Sequence, residues 1–184
     1  MLIRIKDLEL QRLEFNETFQ PGAIDLGSEY TQVSPLQATG RAELIEENRG
    51  HKNILDDIRI VGKLDTEVEV ACARCLEPVR QPLHRDFELL YRPQGADKTK
   101  EEAAVSKGET EISYYEGDDL LLEDVLREQV LLEAPYRALC QENCKGLCPT
   151  CGSNLNSGPC PCKEVQPDPR WNALGNLRDK LKSD

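Results

Sequence analysis

The sequence is poor in aromatic residues, with three Phe, five Tyr and one Trp in 184 positions, and it has one Met and two His. So few large rings leave material for only a modest apolar core. Two histidines, His51 and His84, leave little for imidazole chemistry, and neither stands beside a cysteine. There is no G-x-S-x-G, no phosphate-cradling glycine loop and no H-E-x-x-H, which removes the commonest signatures of hydrolases and nucleotide-binding enzymes. No window approaches about 18 uninterrupted apolar residues, and the opening Met1-Leu-Ile-Arg-Ile-Lys alternates polar and apolar groups, so a cytoplasmic protein without a spanning helix or signal peptide is expected.

Positive charge is also scarce. The formal net charge is -11, against a protein that grips nucleic acid mainly by neutralising phosphates. Residues 101 to 133 carry eleven Asp or Glu against Lys107 and Arg127. Such a belt is either a solvated face or a surface for a basic protein partner.

Against these absences stand eight cysteines, all in two places: Cys72-Ala-Arg-Cys75, and a run holding Cys140, Cys144, Cys148, Cys151, Cys160 and Cys162. Six fall within 23 residues at C-x2-C and C-x-C steps, which let neighbouring sulfurs converge on one ion. In a reducing compartment these spacings favour thiolate ligands over disulfides. Gly152 after Cys151 supplies the positive φ angle that a turn folding back beneath a metal requires. Two structural zinc ions are expected. The favoured division places Cys72, Cys75, Cys140 and Cys144 on one ion and Cys148, Cys151, Cys160 and Cys162 on the other. A competing division leaves Cys72 and Cys75 free and gathers Cys144, Cys148 and Cys151 with Cys160 or Cys162. Catalytic zinc keeps an open position and commonly uses His or a carboxylate, so no enzyme is expected.

Periodicity supplies the frame. Residues 1 to 19 read as one or two strands, and the turn-rich stretch 20 to 35 as a loop. From Gln37 the period-2 alternation puts Ala38, Gly40, Ala42 and Leu44 on one face. Between Ile54 and Cys72, residues Ile58, Ile60, Leu64, Thr66, Val68 and Val70 share the parity of Cys72, with Gly62 expected at a bulge or turn. The first cysteine pair becomes a hairpin turn. The returning strand carries Val79, Leu83, Phe87, Leu89 and Tyr91, and Pro82 places it at an edge or starts it later. Residues 93 to 108 read as a loop and 111 to 115 as a short strand. A helix follows, capped by Asp118 or Asp119, with Leu121, Leu122, Val125, Leu126, Val130 and Leu132 on its apolar side, ending before Pro135. Asp168 and Pro169 begin a closing helix bearing Trp171, Leu174, Leu177 and Leu181.

The expected fold class is α+β: an antiparallel β meander or small open barrel with one amphipathic helix, a zinc-ribbon-like cysteine segment and a C-terminal helix. The expected divisions are residues 1–36 (N-terminal strands and loop), 37–139 (β-rich body with the helix) and 140–184 (cysteine-rich segment and closing helix). Arg74, Arg80, Arg85 and Arg92 near the first pair, with Lys145 and Lys163 at the second cluster, leave direct RNA contact open; ordinary surface charge is the simpler account.

Cys72-Ala-Arg-Cys75-Leu-Glu-Pro-Val79, the Leu-rich segment from Asp119 to Pro135 with Arg127-Glu-Gln, Cys144-Lys-Gly-Leu-Cys-Pro-Thr-Cys-Gly152, Asn154-Leu-Asn156 and Cys160-Pro-Cys162 together resemble the YceD family of bacterial large ribosomal RNA subunit accumulation proteins. The likeness spans about residues 37 to 181. It implies a non-enzymatic factor for synthesis, processing or stability of large-subunit ribosomal RNA, with a ribosomal protein or pre-ribosomal particle as partner. Rivals from other classes are a redox-responsive zinc switch at Cys72 and Cys75, and a zinc-ribbon protein–protein adaptor.

Overall fold

The long alternation ending at Cys72 folds into the spine of the molecule. A computed structural model describes residues 1–48, 54–96 and 112–162. The closing helix expected after Asp168, His51 and most of the 93–108 loop lie outside the described residues. Strand β5 (Ile54–Ala71) and strand β6 (Pro78–Pro93) form one antiparallel hairpin, in register from Ile58↔Tyr91 to Ala71↔Pro78. Its turn is the first cysteine pair, as the parity argument requires. Ile58, Ile60, Leu64, Thr66, Val68 and Cys72 are all buried and Val70 half-buried, so the period of two carries the core side of the strand to the first sulfur.

Around this hairpin the remaining strands assemble as β1 (Leu2–Arg4), β2 (Leu13–Phe19), β3 (Tyr30–Gln32), β4 (Leu36–Asn48), β7 (Ile112–Tyr115) and β8 (Asp119–Leu121). The main sheet runs β2-β4-β5-β6-β7, with β3 also paired to β5 beyond the start of β4. Its centre, β4-β5-β6, is an antiparallel meander as expected, within an open sheet rather than a barrel; the parallel β7 is the departure from an all-antiparallel arrangement. Strand β7 runs parallel to β6, because the chain travels through residues 94–111 before rejoining the sheet, and a parallel pair needs such a crossover. Pro82 pairs with Glu67 on β5, and β7 meets β6 only from Leu90 onward, so among the described residues Pro82 has a strand on one side only.

Three further expectations change. Gly62 makes no bulge: the ladder runs straight through it, in one cross-strand row of Phe15, Gly40, Gly62 and Phe87. A Cβ on Gly62 would come 2.8 Å from the Thr39 carbonyl oxygen, 2.9 Å from the Phe87 ring and 3.2 Å from the Phe15 ring. The two glycines thus form a flat seat for two of the three Phe rings. The loop of residues 20–35 contains β3, and the buried Gln32 ties it down by donating to the carbonyls of Phe19 (2.9 Å) and Ser34 (2.8 Å). The first segment is interrupted by a helical turn, α1 (Ile5–Leu8), which buries Leu8.

Helix α2 (Leu122–Glu133) lays Leu122, Val125, Leu126, Gln129 and Val130 on the sheet. Leu121 and Leu132 are exposed, while Gln129 is buried with its side-chain oxygen accepting from Arg85 at 2.9 Å. Neither Asp118 nor Asp119 caps it. Asp119 is extended opposite Arg4 in the β1–β8 pair, which moves the helix start to Leu122, whose N–H donates to the Met1 carbonyl at 3.0 Å. The N-terminal ammonium pairs with Glu123 in the first turn. Pro135 stops the helix as expected and sends the chain toward the hairpin tip. No helix among the described residues is long and apolar enough to cross a membrane.

Candidate metal centres

The hairpin turn is built from hydrogen bonds that its sequence permits. Cys72 N–H donates to the Glu77 carbonyl at 2.8 Å and Leu76 N–H to the Cys72 carbonyl at 3.0 Å, with Leu76 in the left-handed region at φ 63°. The turn at Cys148 repeats this pattern residue for residue. Cys148 N–H donates to the Ser153 carbonyl at 2.8 Å, Gly152 N–H to the Cys148 carbonyl at 2.9 Å, and Gly152 has φ 73°. Glycine adopts that conformation at little cost, whereas leucine pays roughly 1 kcal/mol for it.

Each turn aims backbone N–H groups at its first sulfur. The Cys72 thiol is brought down to about 6 by the N–H groups of Arg74 and Cys75, and Cys148 to about 6 by those of Cys151 and Thr150. In each set a partner moves the other way. Cys140 is pushed up to about 12 chiefly by the Cys75 sulfur beside it, and Cys162 to about 12 chiefly by Cys151.

Residues 138–147 pass directly across the first turn. Ala73 N–H donates to the Ala138 carbonyl at 2.9 Å, Leu147 N–H to the Arg74 carbonyl at 3.1 Å, and the Arg74 guanidinium to the Cys144 carbonyl at 2.9 Å. This clasp brings four sulfurs together from segments far apart in sequence. Cys72 and Cys144 lie 3.8 Å apart, and Cys75 and Cys140 3.5 Å. Cys72, Cys75, Cys140 and Cys144 form one group and Cys148, Cys151, Cys160 and Cys162 another, with all four sulfurs of each group within 4.8 Å of one another. The competing division, with Cys144 among the second set, is not the arrangement found.

Both groups could hold a metal ion. Sulfurs bound to one tetrahedral zinc stand about 3.8 Å apart, against about 2.05 Å in a disulfide. The spacing found is compatible with a shared cation and is too wide for disulfides, and each group receives N–H donors: Cys140 N–H points at the Cys72 sulfur (3.4 Å), Thr150 N–H at Cys148 (3.4 Å) and the Asn156 amide at Cys144 (3.3 Å). Such donors stabilise thiolates. Neither group includes a histidine or carboxylate, as in closed four-sulfur sites. Cys72, Cys75 and Cys144 are buried, whereas Cys140 and Cys151 are exposed.

Sequence reasoning treated four arginines alike. Only tertiary context separates them. Arg92 is buried against Asp57 at 2.8 Å, Arg85 reaches Glu133 at 3.0 Å as well as Gln129, Arg80 lies 4.0 Å from Glu69, and Arg74 serves the clasp. His84 is exposed beside its cross-strand neighbour Asp65, a surface pair.

No solved structure matches the chain. A chloroplastic protein of Arabidopsis thaliana named as a large ribosomal RNA subunit accumulation protein YCED homolog is 27% identical over 145 residues, 67% of this chain and 45% of that protein. An uncharacterised protein of Mycobacterium tuberculosis is 32% identical over 141 residues, 76% of this chain and 64% of that protein. A chloroplastic YCED homolog of Zea mays is 30% identical over 129 residues, 58% of this chain and 44% of that protein. The chain therefore spans about half to two thirds of the length of these relatives. The family model for YceD, described as large ribosomal RNA subunit accumulation protein, matches residues 60–178. That range takes in most of the hairpin, helix α2 and both groups of four cysteines, and the chain belongs to the YceD family.

Proposed function

We propose that this protein is a non-enzymatic factor supporting the synthesis, processing or stability of large-subunit ribosomal RNA, and that two structural zinc ions hold its contact surface in shape. The family assignment carries the ribosomal part of this reading. The gathering of Cys72, Cys75, Cys140 and Cys144 within one ligand sphere supports the zinc part. A zinc ion bound by four thiolates contributes on the order of 10 kcal/mol to its site, enough to fix a segment that has little apolar core of its own. The first site joins residues 138–147 to the hairpin tip, and the second shapes residues 148–162. The partner is a ribosomal protein or pre-ribosomal particle in the cytoplasm. Described residues 112–133 carry seven acids against Arg127, which suits a basic protein surface better than an RNA backbone.

Sedimentation of lysates with and without the protein tests the assembly role. Large-subunit precursors should accumulate in its absence, and an unchanged profile with no ribosomal co-purification would remove it. Elemental analysis of the purified chain should return two zinc per molecule, falling to one in Cys72→Ser/Cys75→Ser.

One observation favours a second reading. Cys140 is exposed and its sulfur lies 3.5 Å from that of the buried Cys75. The redox switch expected at Cys72 and Cys75 then involves Cys140: hydrogen peroxide would take two electrons from the Cys75 and Cys140 thiolates and two protons from solvent, leaving a Cys75–Cys140 disulfide, two waters and released zinc. Zinc release under micromolar peroxide supports that reading; indifference removes it.

A further inference from the structure

The two cysteine groups are joined by more than the chain between them. The loop after the second turn reaches back to the first group through two asparagines. Asn156 donates its amide to the Cys144 sulfur at 3.3 Å, while its oxygen accepts from Lys145 N–H (2.8 Å) and from the Gln141 side chain (3.2 Å). Asn154 donates to the Glu77 carboxylate at 3.2 Å, at the foot of the first turn, and its oxygen accepts from Asn156 N–H at 3.0 Å. The backbone adds Leu155 N–H to the Gly146 carbonyl at 2.9 Å and an isolated bridge between Leu147 and Asn154. Gly146, which receives Leu155, is itself pressed on the first turn: at φ 75°, a Cβ there would stand 3.0 Å from the Arg74 carbonyl oxygen.

The position of this loop depends on the second group. Residues 152–159 are bounded by Cys151 and Cys160, and their chain contains no large apolar anchor except Leu155. Four thiolates drawn onto one cation fix both ends of the loop at once; without a cation the same four sulfurs have no common centre to hold them. A sulfur ligand that accepts an N–H bond is held in orientation, and partners of this kind alter metal affinity by about 10–100-fold.

We infer that Asn156 is a positioning residue for the first metal centre, and that through it the two centres bind zinc cooperatively: filling Cys148, Cys151, Cys160 and Cys162 presents the amide that steadies Cys144. The inference rests on the reading of both groups as zinc sites. Coupling of this kind is reciprocal, so the first ion must tighten the second by the same factor.

The test uses the full chain, chelator competition for zinc and cobalt(II) absorption as a reporter of four-sulfur coordination. Cys160→Ser/Cys162→Ser should weaken zinc at the first centre by about tenfold or more. Asn156→Asp separates positioning of sulfur from simple ordering of the loop, because it keeps the oxygen that Lys145 and Gln141 use but loses the donor to Cys144. It should weaken the first centre as much as Asn156→Ala, shift the sulfur-to-cobalt charge-transfer band in the intact chain, and change affinity less than about twofold in the Cys160→Ser/Cys162→Ser background. Asn154→Ala, which touches no ligand, should weaken both centres together, and Cys140→Ser/Cys144→Ser should weaken the second. Far-UV circular dichroism confirms that each variant retains the sheet. Two ions bound with independent affinities, or an Asn156→Asp chain that binds like wild type, would overturn the coupling while leaving the zinc reading intact. A wild-type chain that binds no zinc would overturn both.

Discussion

At the scale of single residues, the side chains that matter most are those whose neighbours come from other strands. Gly40 and Gly62 seat Phe15 and Phe87, and the space above them is closed. Gly62→Ala should cost about 1–3 kcal/mol in urea unfolding, and Gly40→Ala more, since its Cβ would press on the Val61 carbonyl oxygen and stand 2.7 Å from the Gly62 Cα, groups that cannot swing aside. Asp57 and Arg92 form an ion pair with both side chains under 5% exposed. Asp57→Ala should therefore destabilise by about 3 kcal/mol or more, and the Asp57→Leu/Arg92→Leu pair by less than the sum of its single changes. The cysteines add a pH prediction. Because backbone donors bring Cys72 and Cys148 down to about 6, those two are already thiolates at neutral pH, while Cys140 and Cys162, pushed up to about 12, are protonated before metal arrives. Zinc binding at pH 7.5 should release protons, but fewer than four per ion, as read by calorimetry in buffers of different ionisation enthalpy. Affinity should fall as pH drops through about 6, where protons compete for Cys72 and Cys148 as well.

At the scale of elements, the hairpin β5–β6 and the segment 138–147 behave as two parts held by a clasp. The hairpin stands on its own ladder and on the core beneath it, whereas 138–147 is fastened by the hydrogen bonds of Ala73, Arg74 and Leu147 and by its two sulfurs. Cys140→Ser should raise amide hydrogen exchange at Ala73 and Leu147 by tenfold or more, and leave the ladder from Ile58 to Val68 protected. Equal loss of protection along β5 would show that clasp and sheet unfold as one unit. This division was legible in the sequence, because a period of two specifies which face Cys72 shares and a C-x2-C step specifies a turn. The helix boundary was not. Asp118 and Asp119 offer good caps, but pairing with the N-terminal strand holds Asp119 extended, and a contact between residues more than a hundred positions apart leaves no local mark.

At the scale of the whole molecule, one sheet draws on strands from both sides of residue 36, while the cysteine-rich segment contributes sulfur more than apolar surface. Stripping metal with a strong chelator should therefore loosen residues 138–162 and free both cysteine sets to react with a thiol reagent, while the β signal in far-UV circular dichroism persists. Collapse of that signal would mean that the sheet needs the metal to fold. The sequence alone determined the alternation that buries one side of β4, β5 and β6, the place of α2 before Pro135, and the turns at Cys72–Cys75 and Cys148–Cys151, since each follows from residue spacing along a single segment; which cysteines share a group was settled between two divisions only by the clasp that brings Cys140 and Cys144 to the hairpin tip. Tertiary structure decided the parallel seat of β7, the glycine row under the phenylalanines, the burial of Arg92 and the reach of Asn156 to Cys144. Those depend on which segments meet, and strand pairing between distant residues is chosen by the packing of the whole sheet rather than by any stretch of it.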